Sequence, residues 1–158
     1  MGQFMELYQS VYKDLYRFAY YYLGNTQDAE DAVQDAALLA YENFQKLKKT
    51  ESFRPWIFKI LVNCCKRHLR RRIKAERRKE AGEASYEPSL SQGEELRELL
   101  SGLSREERLI VSLAVFGGYK GEEIARILHR KPATVRSKYR RALKKLEVSL
   151  MREGEMAE

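Results

Sequence analysis

The chain has 158 residues, 34% of them charged, and a formal net charge of +7. That length holds one ordinary domain or two small ones. Two adjacent cysteines, Cys64 and Cys65, cannot build a disulfide framework, and with no signal-like start and no apolar run near the roughly 18 residues of a membrane span, a soluble, cytoplasmic protein without membrane insertion is expected.

Helical spacing begins at once. Phe4, Leu7, Tyr8, Val11, Leu15, Phe18, Ala19 and Tyr22 follow an i, i+3, i+4, i+7 stripe. Gly24-Asn25 ends this helix, and Thr26 is the expected N-cap of the next. Asp28, Glu30 and Asp31 open that second helix, where the dipole favours negative charge. Ala29, Val33, Ala36, Ala40 and Phe44 form its apolar face, small enough for close packing. Residues 45–52 read as a loop. Pro55 suits the first turn of a third helix, with Trp56, Ile57, Ile60, Leu61, Cys64 and Leu69 on its apolar side. That helix ends in a basic run: residues 1–50 carry a net −2 and residues 51–80 a net +8.

Residues 80–93 contain Gly82, Ser85, Pro88, Ser89, Ser91 and Gly93, a linker composition. Leu96, Leu99, Leu100 and Leu103 then open a second half. Ser104-Arg105-Glu106-Glu107 is a capping box for a helix bearing Leu109, Ile110, Leu113 and Phe116, stopped by Gly117-Gly118. Two helices are predicted over 121–128 and 132–147. Ile124, Ile127 and Leu128 form the apolar side of the first, Ala125 allows a close crossing, and Pro132 starts the second. Val135, Tyr139, Ala142, Leu143 and Leu146 point inward, leaving Thr134, Arg136, Ser137, Lys138, Arg140, Arg141, Lys144 and Lys145 on the other faces. Residues 81–118 carry a net −4 and residues 119–158 a net +5. Two separated basic blocks suit two contacts with a polyanion. The fold class expected is all-α: two small helical domains, 1–79 and 94–150, a flexible linker over 80–93, and a polar, frayed tail over 151–158. The second domain is a helix-turn-helix whose last helix would enter the major groove.

Both halves together resemble a known family. Gly24-Asn25-Thr26-Gln27-Asp28-Ala29-Glu30-Asp31-Ala32-Val33-Gln34-Asp35 resembles the second conserved region of bacterial sigma factors. So does Phe53-Arg54-Pro55-Trp56-Ile57-Phe58-Lys59-Ile60-Leu61-Val62-Asn63, with Leu69-Arg70-Arg71-Arg72 after it. The segment 120–146, with Ala133-Thr134-Val135-Arg136-Ser137-Lys138-Tyr139-Arg140-Arg141-Ala142, is similar to their fourth region. Region two, a linker and region four are the layout of the extracytoplasmic-function group.

The resemblance implies a protein that binds core RNA polymerase, through the β′ clamp helices and the β flap, and opens promoter DNA. It implies polymerase contacts at Asp28, Glu30, Asp31, Gln34 and Asp35; Gln34 and Asp35 lie past the first turn, where dipole compensation no longer explains them. It implies contact with the −10 element by Lys46, Lys48, Lys49, Thr50, Ser52, Phe53, Arg54, Trp56, Lys59, Asn63, Lys66, Arg67, Arg70 and Arg71. One unstacked base would be captured there, which calls for a polar loop, cations and aromatic rings. Trp56 shares a stripe with Ile60, so core packing competes with stacking. The −35 element would be read by Thr134, Arg136, Ser137, Lys138, Arg140, Arg141 and Lys144. Acidic Glu80, Glu83 and Glu87 would let the linker mimic nucleic acid inside the polymerase. An anti-sigma partner is implied as well.

Two other readings use the same residues. One is a stand-alone helix-turn-helix regulator that dimerises through residues 1–80. The other is a small basic nuclease. Metal-dependent hydrolysis needs clustered ligands, yet His68 and His129 lie in different halves. Cys64 and His68 share a helix face, but two ligands fall short of the usual three or four. No enzyme activity and no cofactor are expected.

Overall fold

In the computed structural model, which describes residues 2–78 and 93–156, α1 (Gly2–Leu23) buries Phe4, Val11, Leu15, Phe18, Ala19 and Tyr22. These are the predicted stripe without Leu7 and Tyr8, which are half-buried. Gly24 takes φ +88°, a left-handed value that only glycine adopts without strain, and its N–H caps the carbonyl of Tyr20 at 2.7 Å. The N-cap of α2 (Thr26–Glu42) is Asn25, not Thr26. The Asn25 side chain accepts from the N–H of Asp28 at 2.8 Å, because Asn25 is the extended residue and Thr26 is already helical.

Ala29, Ala32, Ala36 and Ala40 line α2 at the contact with its neighbours, fully buried. Their small size lets α1, α2 and α3 (Phe53–Arg78) approach closely. Phe18 meets Phe58 edge to face across α1 and α3, centroids 6.0 Å apart. Phe44 is not on the α2 face. It starts a 3-10 turn, Phe44–Lys46, and sets its ring against Phe4 and Phe53. A second 3-10 turn, Thr50–Ser52, leads into α3. The loop 45–52 is therefore partly ordered by short turns.

The chain divides into two compact units, Met1–Ser91 and Gln92–Glu158. Of the predicted linker, residues 80–93, all but Gly93 lie outside the described residues, Glu80, Glu83 and Glu87 among them; Gly93 is the N-cap of α4 (Glu94–Ser101). In the second unit α5 (Arg105–Val115) starts on the predicted capping box. Ser104 N–H donates to Glu107 at 2.9 Å, and Glu107 N–H donates back to the Ser104 hydroxyl at 3.2 Å. Gly117 has no room for a Cβ, which would lie 2.6 Å from the carbonyl of Leu113 and from the Tyr119 ring. Helix α6 (Gly121–Leu128) buries Ile124, Ala125 and Leu128.

The turn after α6 is closed by His129, a non-glycine residue at φ 54°. Arg130 N–H reaches back to the carbonyl of Ala125 at 2.9 Å, the wrap that a left-handed C-cap permits. Helix α7 (Pro132–Met156) follows with Val135 and Ala142 buried. It runs past the expected end near 147 into the segment read as a frayed tail. Leu143, expected inward, is 44% exposed. Ala142, one residue earlier, takes the inward position, and one residue along a helix is a rotation of about 100°.

Candidate nucleic-acid interface

Helix α3 presents Trp56, Ile60, Asn63, Arg67 and Arg70 on one line, at i, i+4, i+7, i+11 and i+14. With Lys66 from the same helix and Leu39, Asn43 and Lys46 from the end of α2 and the turn beyond, they line a groove of ≈ 610 Å³. Trp56 is half-buried: its ring packs against Phe53 and also forms a wall of this groove. The groove combines an aromatic face, two amides and four cations. Lys48, Lys49, Thr50, Ser52, Lys59 and Arg71 are exposed around it without lining it.

Of two residues expected here, Phe53 turns inward and Arg54 pairs within its own unit. Phe53 is 2% exposed and packs against Phe4, Phe44 and Trp56, so it is core and cannot stack on a base. Its ring is held there by the rings of Phe4 and Phe44. Arg54 binds Asp14 of α1 at 2.9 Å and lies over the Phe58 ring at 5.0 Å. Leu39 and Asn43 are groove residues that sequence reasoning missed. They come from a different element, and only the packing of α2 on α3 brings them to Trp56. Asn43 donates to the carbonyl of Leu39 at 2.8 Å, fixing its amide in place.

The acidic face of α2 divides in two. Asp28 binds Arg72 at 2.9 Å and accepts from Asn25 at 2.8 Å. Asp35 meets His68 of α3 at 2.8 Å. Both carboxylates therefore tie α2 to its own unit, although half of the Asp35 side chain stays exposed. Glu30 and Gln34 are exposed and Asp31 half-exposed, with Gln27 donating to Asp31 at 3.2 Å. Leu38, 62% exposed, extends that outward face toward the end of the helix. Cys64 accepts from Arg67 at 3.2 Å. Burial pushes both thiols up, and Cys64 and Cys65 pack as small core residues.

On α7, Arg136, Ser137, Arg140, Arg141 and Lys144 line a second groove of ≈ 380 Å³ with Ala133, which the sequence reading left out. No carboxylate lines it. Thr134 and Lys138 sit off this groove. Lys138 turns back to Glu106 of α5. Lys145 reaches Glu107 at 2.7 Å, and with the Ser104 N–H it holds the Glu107 carboxyl down at about 2.

The profile of Sigma-70 region 2 matches residues 7–74, and that of Sigma-70 region 4 matches residues 93–146. The chain is 32% identical to RNA polymerase sigma factor SigV of Bacillus subtilis, covering 89% of this chain and 87% of SigV. It is 32% identical to the ECF RNA polymerase sigma-E factor of Escherichia coli K12, over 73% of this chain and 70% of that protein. Its fold matches the sigma factor RpoE solved in complex with the anti-sigma factor NepR from Bartonella quintana, with TM-score 0.81, 22% identity, and coverage of 96% and 98%. A helical unit carrying an aromatic, amide-lined basic groove and a second unit carrying a helix-turn-helix are thus found in the order of Sigma-70 regions 2 and 4, and the chain belongs to the extracytoplasmic-function family of RNA polymerase sigma factors.

Proposed function

We propose that the two units divide promoter recognition between two chemically different grooves. The observation that carries this reading is the contrast between them. The α3 groove offers an aromatic wall and amides among cations; the α7 groove offers cations and one hydroxyl. The first suits a single strand with an unstacked base, the second an intact duplex.

In the first unit, the base lies against Trp56, and Asn43 and Asn63 meet its polar edge. Stacking on an aromatic ring is worth about 1–3 kcal/mol per base, comparable to the few kcal/mol needed to unstack it. Lys46, Lys66, Arg67 and Arg70 hold the phosphates beside it. Lys48, Lys49, Thr50, Ser52, Lys59 and Arg71 extend that contact along the strand. In the second unit, Arg136, Arg140 and Arg141 reach base edges of the −35 element in the major groove, with Ser137 and Lys144 on the backbone. Thr134 touches the flank of the same site.

The outward face of α2, Glu30, Asp31 and Gln34, docks on a basic surface of core polymerase. Asp28 and Asp35 support this face from within through Arg72 and His68. The segment 80–93 links the two readers. Solved relatives are complexes with the anti-sigma factors NepR and CnrY, and a partner of that class is proposed for this chain also. Among the described residues no helix is long and apolar enough to cross a membrane, and the proposed work places the chain in the cytoplasm.

The test is gel filtration of the full chain with bacterial core polymerase, followed by transcription from a promoter-selected library. Co-elution that weakens in Gln34→Ala, with transcription that depends on the chain, supports the reading. Tight duplex binding by the chain alone, without co-elution, sinks it.

A further inference from the structure

Glu106 stands second in α5 and meets two cations of the helix-turn-helix at once: Arg130 of the turn at 3.0 Å, and Lys138 of α7. The two cations are 55% and 32% exposed and Glu106 is 26% exposed. An exposed or half-exposed ion pair contributes little to stability, at most about 1 kcal/mol. The fold is held elsewhere, by buried Leu109, Ile110, Leu113, Val135 and Ala142, and by the neighbouring pair of Glu107 with Lys145. The fold does not depend on the bridge at Glu106.

At about 100° per residue, Lys138 lies on the flank of α7, about 60° from Arg141 at the edge of the groove and about 40° from Ala142 of the core face. Arg130 lies in the turn that delivers α7. Cations at such places meet phosphates of a duplex seated on the groove, whatever its sequence. A carboxylate that holds both of them stands where a phosphate oxygen would.

We propose that Glu106 is a specificity-determining residue: it withholds Arg130 and Lys138 from the DNA backbone and so suppresses sequence-independent duplex binding. Discrimination then rests on the side chains of the α7 groove. This inference deepens the reading of α7 as the −35 reader and depends on it. Each cation released to a phosphate adds about −0.9 to the slope of log affinity against log salt.

The experiment is a salt series of binding of the full chain to a random-sequence duplex, read by fluorescence anisotropy, with Glu106→Gln against the unsubstituted chain. The slope is expected to steepen by up to about 1.8, with tighter random-duplex binding at low salt. The double substitution Arg130→Gln with Lys138→Gln, made in the unsubstituted background, is expected to change the slope by less than Glu106→Gln does, because those cations are mostly held. An unchanged or shallower slope in Glu106→Gln, or a slope lost in the double variant, overturns the proposal. Selective transcription with core polymerase tests the underlying reading separately: if Arg136→Ala and Arg140→Ala leave promoter choice intact, that reading fails, whatever the slopes show.

Discussion

Glu107 in the first turn of α5 and Lys145 in the fourth turn of α7 meet at 2.7 Å, with Glu107 almost fully buried. The same carboxylate closes the capping box on Ser104, so a single side chain both starts α5 and ties it to α7. Its carboxyl is held at about 2, below the ordinary 4.5. A depressed carboxylate stabilises the folded unit above its unfolded value and loses that contribution as pH falls toward the folded one. The region 4 unit is thus expected to lose stability between about pH 4.5 and about 2. Urea midpoints across this range check it, and Glu107→Gln should lower the midpoint at neutral pH and flatten the acid dependence.

The N-cap of α2 and its outward face should separate in experiment. Asn25→Ala removes the N-cap and is expected to cost about 1 kcal/mol of stability. Gln34→Ala is expected to leave the stability within about 0.5 kcal/mol of the starting chain, as surface changes do, and to weaken co-elution with core polymerase. Calorimetry beside gel filtration reads both. Equal loss of stability in the two variants would contradict the division of this face.

Phe53 and Trp56 are three residues apart with opposite duties. Phe53→Ala empties a fully buried aromatic site and should cost about 3–5 kcal/mol. Trp56→Ala should leave most of the stability in place and reduce open-complex formation, measured by permanganate reactivity of unpaired thymines at the promoter. If Trp56→Ala unfolds the unit, the ring is core and the groove has no stacking wall.

On α7, Arg136→Ala or Arg140→Ala should weaken binding to the preferred −35 sequence by about 1–3 kcal/mol, the worth of one bidentate base contact. Binding to core polymerase should be unchanged. Competition between matched and mismatched −35 duplexes in the assembled holoenzyme gives the number.

His129 occupies a left-handed position at φ 54°. A residue with a Cβ is disfavoured there by roughly 1–2 kcal/mol, a cost glycine does not have. His129→Gly should therefore stabilise the second unit by about 1 kcal/mol, part of the gain being offset by the entropy of the unfolded glycine. A lowered denaturation midpoint would show that the imidazole makes a contact worth more than the strain.

Much of this architecture is local and legible in the chain. The stripe through Val11, Leu15 and Phe18 predicts α1, Ser104 with Glu107 predicts the start of α5, and Pro132 with the basic run after it predicts the reading helix. Periodicity, capping and charge runs act within a few residues, so they can be read without knowing what packs where. Which charges remain available to a partner is another matter. Asp28 finds Arg72 across 44 positions, Arg54 finds Asp14 across 40, and Lys138 finds Glu106 across 32. Phe53 and Trp56 have similar composition and helical setting, and only the closure of the Phe4 and Phe44 rings sends one inward. Leu39 and Asn43 join the groove because α2 lies along α3. Local sequence determines where helices begin and which faces are apolar or basic; the packing of those helices determines which side chains satisfy one another and which are left for polymerase and DNA.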